Sequence, residues 1–191
     1  MARPSCSTAV LAHAHRLTHA LGRLARTLEL YLVRHAIAEK RDAARWPDDS
    51  QRPLTPEGIA RFRSAARGLT KIVPSVERVL SSPYPRAWQT AEILCEETEG
   101  PAPEPCPALE ADRSPAEAIK LLAGIDAASL AFVGHEPHLS SAASQLLTGD
   151  ADLLGLELKK GGVVFVELAE TSAVLRWSVS PKILRRLDGT N

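Results

Sequence analysis

Short apolar runs alternate along the chain with stretches of helical pattern. Residues 29–33, 76–80 and 129–133 have the length and apolar content of buried strands. Two late runs, residues 163–168 and 174–179, predict a further pair of strands joined as a hairpin. The hydrophobic pattern therefore predicts a sheet of at least five strands, with three of them separated by long connections.

Helices are predicted in those connections, where a capping residue precedes an amphipathic pattern. Thr55 suits the cap, Pro56 the first turn and Glu57 the positive end of a helix that continues to about Leu69. Further helices are predicted over residues 85–97, 114–123 and 137–147. Strands that alternate with helices indicate an α/β fold, a three-layer α/β/α sandwich with a mostly parallel central sheet.

One domain accounts for most of the 191 residues. Residues 99–107 contain four prolines and predict an extended connection within that domain. We expect a single domain over residues 29–185, an N-terminal extension over residues 1–28 and a short tail over residues 186–191. The chain has no apolar run near the ~18 residues of a membrane span, so no membrane partner is expected.

The first 28 residues contain no Asp or Glu and carry four Arg and three His, with apolar residues at roughly helical spacing. An acid-free, Arg-rich amphipathic segment is typical of an organelle transit peptide. The alternative is a non-catalytic, disordered extension. A cytoplasmic location is the default expectation, with an organelle as the alternative if this segment is a leader.

Charge and cysteine content narrow the classes of function. Lys+Arg and Asp+Glu both number 23, so the formal net charge is zero and nucleic acid is not an expected partner. Three Cys residues, at positions 6, 95 and 106, match no zinc-binding spacing. We therefore expect neither a metal nor a cofactor. Any positive potential must be local; Lys159-Lys160-Gly161-Gly162 either adds to it or simply forms a turn, which we favour.

Side chains with phosphate chemistry follow three successive strands. Arg34 and His35 come directly after the first strand, Arg86 after the second and His135 after the third. Each residue alone is weak evidence, but the carboxyl ends of parallel strands meet at one rim of a sheet. Arginine forks grip phosphate oxygens, a neutral imidazole attacks phosphorus, and a second imidazole, if protonated, donates to the oxygens as charge develops. Such a site needs no metal.

These residues lie in stretches that resemble a known family. The stretches are LYLVRHA, Thr55-Pro56-Glu57-Gly58, Ser81-Ser82-Pro83 with Arg86-Ala87 and Gln89-Thr90-Ala91, and Val133-Gly134-His135. Over residues 29–181 the chain resembles the histidine phosphatase superfamily, whose fold is called phosphoglycerate mutase-like. Its short length and the stretches RWPDDSQRPLTPEG and VGHEP look most like the SixA-type phosphohistidine phosphatases.

The resemblance implies a role for each of the four residues. His35 is expected to be the phosphorylated nucleophile, Arg34 and Arg86 the phosphate clamps, and His135 the second imidazole. Ala36 stands where the family usually has Gly, which raises the question of whether the backbone there needs glycine.

A proton donor for the leaving group is the least defined part of the site. Superfamily members that act on phosphate esters carry an acidic residue for this purpose; here the candidates are Glu110, Asp112 and Glu136. Glu136 adjoins His135, but a carboxylate there would equally favour the start of a helix. Protonated phosphohistidine releases a neutral imidazole, a much better leaving group than an alkoxide, so a P–N substrate needs little acid help.

The sequence thus predicts a metal-independent phosphatase that forms a phosphohistidine intermediate and acts on phosphohistidine of a protein partner. Two alternatives remain open. One is a phosphatase of the same fold for a small phosphomonoester. The other is a catalytically idle protein that binds phosphorylated partners, although a pure binder has no need of a nucleophilic imidazole.

Overall fold

The computed structural model of the protein describes residues 27–189, and the predicted N-terminal extension over residues 1–28 therefore lies almost entirely outside the described residues. Its six strands are β1 (Leu28–Arg34), β2 (Arg78–Ser81), β3 (Glu104–Pro105), β4 (Ser129–Gly134), β5 (Val163–Ala169) and β6 (Ser172–Val179). Its five α-helices are α1 (Pro56–Leu69), α2 (Pro85–Glu97), α3 (Pro115–Leu121), α4 (His138–Thr148) and α5 (Pro181–Leu187). Short 3-10 turns lie at Asp49–Gln51, Pro107–Leu109 and Leu122–Gly124.

All six strands form one sheet in the order β3-β2-β4-β1-β5-β6. The first four strands in that order are mutually parallel, whereas β5 runs antiparallel to β1 and pairs with β6 as a hairpin. The prediction of a mostly parallel sheet with a late hairpin is confirmed. Strand β4 lies between β1 and β2, so the ends of these three strands are neighbours.

Alternate residues of the central strands pack into two separate cores. Leu30 and Leu32 of β1 contribute to the core that also contains residues of α3 and α4. Tyr31 and Val33 contribute to the opposite core, which contains residues of α1, α2 and α5. The sheet therefore lies between two layers of helices, as the α/β/α prediction requires. No helix within residues 27–189 is long and apolar enough to cross a lipid bilayer.

Both predicted ends of the domain differ from the structure. Leu28, which we assigned to the extension, is the first residue of β1 and only 1% exposed. At the other end, α5 continues to Leu187 instead of giving way to a tail after residue 185. Asp188 then pairs with Arg67 of α1 at 3.0 Å. The domain thus includes residues at both ends because they complete the sheet and one helical layer.

The proline-rich connection holds a strand that the sequence did not predict. Glu104–Pro105 pairs in parallel with β2 at the edge of the sheet. The N–H of Cys106 continues this pairing by donating to the carbonyl of Ser81 at 2.7 Å. Proline is tolerated at a sheet edge, since its missing N–H faces away from the ladder.

Candidate functional site

Backbone hydrogen bonds bring the ends of β1, β2 and β4 together at one rim. The N–H of His35 donates to the carbonyl of Gly134 at 2.9 Å, and the N–H of Ser82 donates to the carbonyl of Val133 at 2.9 Å. As a result, the ring centroids of His35 and His135 are 5.3 Å apart. The predicted juxtaposition of the two imidazoles is therefore present in the structure.

The His35 ring is buried, and one of its nitrogens forms a hydrogen bond with the backbone of the next residue. Nδ1 lies 2.7 Å from the carbonyl oxygen of Ala36. Because a carbonyl only accepts, Nδ1 carries the proton and Nε2 keeps its lone pair. Burial, together with the nearby cations Arg86 and Arg34, lowers the pKa of His35 to about 3, against the opposing effect of the Ala36 carbonyl. The ring is thus neutral at physiological pH, with Nε2 available as a nucleophile.

Ser82 fixes the tautomer of His135. The Ser82 hydroxyl accepts the N–H of Tyr84 at 3.3 Å and lies 2.9 Å from Nε2 of His135. We assign the hydroxyl proton to the bond with Nε2, because the described residues offer that hydroxyl no other acceptor, and the ring proton of His135 is then on Nδ1. Burial, then His35 and Arg86, lowers the pKa of His135 to about 2. The His135 ring is therefore neutral, and its Nδ1–H is a donor in either protonation state.

Both predicted arginines are fixed by main-chain carbonyls. Arg34 donates from Nη1 to Leu158 at 2.7 Å. Arg86, which is 3% exposed, donates from Nη1 to the carbonyl of Asp49 at 2.7 Å, and its Nη2 lies 3.5 Å from the Asp49 carboxylate. Three buried donors at the site have no hydrogen-bond partner among the described residues: Nε of Arg34, Nε of Arg86 and Nδ1 of His135. Buried N–H groups left without acceptors are costly, and a bound oxyanion would satisfy them.

A third arginine, Arg52, lies in the same place and was not singled out from the sequence. Arg52 is 6% exposed and grips Asp49 with two nitrogens, at 2.9 and 3.3 Å. The hydrogen bonds from Arg52 lower the pKa of the Asp49 carboxyl, and the positive charge of Arg86 lowers it as well. Asp49 thus organises two buried guanidiniums. Arg52 lies in the stretch RPLTPEG that we quoted for the family resemblance, which was the signal that could have identified it.

Thr90 links the nucleophile loop to α2. Its hydroxyl accepts the N–H of Ala36 at 3.0 Å and donates to the carbonyl of Arg86 at 2.6 Å. Within residues 27–189 the only non-glycine residue with positive φ is Glu99, so Ala36 has an ordinary backbone that does not need glycine. The Ala36 methyl is packed in the core, where the residue is only 2% exposed.

The four predicted residues line one cavity of about 420 Å³. Its other lining residues include Arg52, Lys160 and Glu136, with the exposed side chains of Lys40 and Arg41. Of the three candidate proton donors, Glu136 lines this cavity, whereas Glu110 and Asp112 do not; only Ala111 between them does.

The surroundings of Glu136 and Asp112 also distinguish these two carboxyl groups as candidate proton donors. Glu136 accepts the N–H of Ser140 at 3.1 Å, and burial nevertheless raises its pKa, which favours the protonated form that a donor requires. Asp112 instead accepts the hydroxyl of Tyr84 at 3.2 Å. No group of three His, Cys, Asp or Glu residues in the described part of the chain is arranged to hold a metal ion.

Comparisons with known proteins identify the family of this chain. The model of the histidine phosphatase superfamily (branch 1) matches residues 30–110. A protein from Picosynechococcus sp. is 36% identical over 140 residues, which cover 72% of this chain and 83% of the relative. The fold and the matched residues define a phosphatase.

Solved structures narrow the relationship. The protein histidine phosphatase SixA, complexed with tungstate, has a TM-score of 0.72 at 26% identity and covers 82% of this chain and 99% of its own. A putative SixA from Agrobacterium tumefaciens has a TM-score of 0.68 at 20% identity, covering 81% and 98%. A putative alpha-ribazole-5'-P phosphatase from Escherichia coli has a TM-score of 0.62 at 17% identity, covering 82% and 98%. The chain belongs to the histidine phosphatase superfamily and to its SixA-like branch.

Proposed function

We propose that the protein hydrolyses the P–N bond of phosphohistidine on a protein substrate and carries the phosphoryl group on Nε2 of His35 during turnover. The observation that carries this proposal is the free Nε2 of His35 beside three buried donors that lack acceptors. Those donors belong to side chains that line one cavity, those of Arg34, Arg86 and His135, and a tetrahedral anion bound there could accept from them.

In the first step, Nε2 of His35 attacks phosphorus and the bond from phosphorus to the substrate imidazole breaks. The substrate nitrogen that is not bound to phosphorus is already protonated, so a neutral imidazole leaves. Arg34 and Arg86 neutralise the oxygens throughout the step. The Nδ1–H of His135 donates to the same oxygens, and a bound dianion raises the pKa of that ring toward the imidazolium form.

In the second step, a water molecule attacks the phosphoryl group on His35 and the P–N bond to Nε2 breaks. The electron pair of that bond returns to Nε2, and the proton released by the water passes to the products or to solvent. The Ala36 carbonyl keeps Nδ1 protonated in both steps, so that the same tautomer is regenerated at the end.

A protein phosphohistidine is favoured over a phosphate ester by two features. The first is the structural similarity, at 26% identity, to a protein named a protein histidine phosphatase. The second is the surface position of the cavity, where the exposed Lys40 and Arg41 line its opening toward a large partner. A phosphorylated side chain of a partner protein reaches such a cavity without being enclosed.

A small phosphomonoester is the second candidate substrate, and Glu136 is the observation that favours it. This half-buried carboxyl lines the cavity with a raised pKa, which suits protonation of an alkoxide leaving group. A histidine-phosphorylated phosphotransfer domain and a panel of sugar phosphates distinguish the two. We expect the phosphotransfer domain to have the higher kcat/KM by at least tenfold; a higher kcat/KM for a sugar phosphate would contradict the proposal.

Replacement of the nucleophile tests the mechanism directly. His35→Ala should lower kcat on both substrate classes by several orders of magnitude, as expected when the covalent route is removed. The wild-type enzyme, quenched during turnover, should carry an acid-labile, alkali-stable phosphoryl group, and the variant should carry none. Unchanged thermal unfolding would show that the variant is folded, and retention of full activity by this folded variant would rule out His35 as the nucleophile.

A further inference from the structure

A second pocket, of about 310 Å³, lies next to the catalytic cavity. The two pockets are neighbours because Ile37 and Lys160 line both of them. Phe62 and Pro181 provide an apolar floor in the second pocket. We call it the cationic pocket, because of the side chains that line it.

Five cations and no acid line the cationic pocket: Arg61, Lys159, Lys160, Lys182 and Arg185. Arg61 is paired with Glu57 at 2.7 Å. Lys159, Lys160 and Lys182 have no ion-pair partner within residues 27–189. Since the whole chain has no net charge, this is a local concentration of positive potential that would attract an anion.

The turn that carries two of these lysines is fixed relative to the nucleophile. The N–H of Gly161 donates to the carbonyls of Arg34 and His35, at 3.0 and 3.1 Å, and Gly162 closes the turn onto Lys159 at 2.7 Å. The backbone that carries Lys159 and Lys160 therefore keeps the cationic pocket close to the loop of His35.

The chemistry of this pocket differs from that of the catalytic cavity. There, buried and hydrogen-bonded guanidiniums suit a desolvated tetrahedral anion. Here, Lys159, Lys160 and Lys182 are exposed ammonium groups on flexible stems. Such point charges remain hydrated and suit carboxylates at the rim of a protein interface, where they accelerate association and select a partner.

Resting on the proposed function, we infer that the cationic pocket binds an acidic segment of the phosphoprotein substrate, next to the phosphohistidine. Glu and Asp side chains of that segment would pair with Lys159 and Lys182 while the phosphoryl group occupies the catalytic cavity. The pocket thereby selects histidine-phosphorylated proteins with acidic surroundings over those with neutral surroundings.

Two synthetic peptides test this inference. Both carry the same phosphohistidine, one flanked on each side by Glu residues and the other by Gln at the same positions. We expect wild-type enzyme to have about a tenfold higher kcat/KM for the acidic peptide, mainly through KM, and to lose this preference as salt is raised. The variant Lys159→Gln/Lys182→Gln should hydrolyse the two peptides equally and keep wild-type kcat/KM on p-nitrophenyl phosphate.

Lys71→Gln/Lys120→Gln is the matched control, since it removes two exposed lysines that do not line the pocket. It should keep the acidic preference. Hydrolysis of neither peptide by wild-type enzyme would contradict the proposed function and this inference together. Hydrolysis without an acidic preference, or a preference that survives in the pocket variant, would overturn the inference alone. A preference for bisphosphorylated small esters that depends on the same lysines, with none for the acidic peptide, would assign the pocket to a second phosphate instead.

Discussion

Hydrogen-bond partners determine which nitrogen of each imidazole at the site carries the proton. The Ala36 carbonyl holds the proton of His35 on Nδ1, and the Ser82 hydroxyl holds that of His135 on Nδ1 as well. The first arrangement leaves a nucleophile and the second leaves a donor. Two residues of one type thus have opposite roles because their neighbours accept in one case and donate in the other.

Ser82→Ala tests the tautomer assignment of His135. The variant leaves Nε2 of a buried imidazole without its donor, so His135 loses both its orientation and its preferred protonation site. We expect kcat on p-nitrophenyl phosphate to fall roughly tenfold to a hundredfold with little change in KM, the pattern of a positioning residue. Ser81→Ala is the control, because that hydroxyl contacts the Ser82 carbonyl and not His135. Equal kcat in the two variants would argue against the assignment.

The variant Glu136→Gln tests whether this carboxyl protonates the leaving group of a phosphate ester but not that of phosphohistidine. Without a carboxyl proton, hydrolysis of an alkyl phosphate should fall by roughly 10²-fold, the usual contribution of a general acid. Hydrolysis of phosphohistidine should change by less than about threefold, because its leaving group needs no acid. In the wild type, alkyl phosphate turnover should decrease as pH rises through the raised pKa of Glu136, and the variant should lack this decrease. A similar loss on both substrates would exclude Glu136 as a donor.

At the scale of helices and strands, the N-terminus of α1 supports the loop that follows the nucleophile. The Thr55 hydroxyl caps the helix by accepting the N–H of Gly58 at 2.9 Å. The N–H of Thr55 donates to the Ile37 carbonyl at 3.0 Å. A Cβ atom on Gly58 would lie 2.0 Å from that same carbonyl oxygen, so glycine allows the helix to approach the loop. The Thr55-Pro56-Glu57-Gly58 stretch thus has a structural explanation.

Gly58→Ala should therefore reduce both stability and activity. The new methyl collides with backbone that cannot rotate away, and overpacking of this kind typically costs about 1–3 kcal/mol. We expect a lower midpoint of urea unfolding and a reduced kcat, since the displaced loop carries Ala36. Gly124→Ala is the control: a Cβ there meets nothing within 4 Å, and its stability should change by less than about 0.5 kcal/mol. A wild-type unfolding midpoint for Gly58→Ala would contradict this account.

Most helices and strands could be predicted from the local sequence pattern, whereas the order of the strands in the sheet could not. The helix over residues 56–69 begins after the capping residue Thr55, and the helix over residues 85–97 begins at Pro85, as the sequence indicates. Strand β3 was missed because two residues, one of them Pro105, carry no alternating pattern. The position of β4 between β1 and β2 depends on tertiary packing and not on any local signal.

The candidate site also has a part that could be predicted from the sequence and a part that could not. Arg34, His35, Arg86 and His135 were identifiable because each lies after a predicted strand, Arg86 just inside the following helix, and in a recognisable stretch. The contacts of Asp49 with two arginines, and of Ser82 with His135, join positions 3 to 53 residues apart. A single Asp or Ser in a loop gives no periodic signal, so its partner becomes apparent only in three dimensions.

At the scale of the whole molecule, a chain of zero net charge concentrates its cations at one rim of the sheet. Arg34, Arg52, Arg86 and Lys160 line the catalytic cavity, and Lys160 also lines the cationic pocket. The two imidazoles lie within this field and are excluded from solvent. The folded site therefore disfavours protonation of both imidazole rings. As a consequence, the free energy of unfolding should depend on pH.

Stability should consequently fall with acidification below pH 6.5. His35 and His135 have folded-state pKa values lowered to about 3 and about 2, so between those values and 6.5 the unfolded chain binds protons that the folded chain does not. The free energy of unfolding then rises with pH across this window and is lost as pH drops. Each ring should contribute about 2 kcal/mol of loss between pH 7.5 and 5.

Urea unfolding of the wild type and of His35→Asn/His135→Asn, from pH 8 to pH 4.5, isolates this contribution, since all other titrating groups, His138 among them, are common to both proteins. The unfolding free energy of the wild type minus that of the variant should be constant above pH 7.5 and should fall by about 4 kcal/mol toward pH 5. Parallel curves for the two proteins would mean that the rings accept protons in the folded state. The neutral nucleophile on which the proposed chemistry depends would then be absent at mildly acidic pH. Saturating phosphate should reduce the wild-type loss, because a bound dianion favours the protonated rings and stabilises the folded state by mass action.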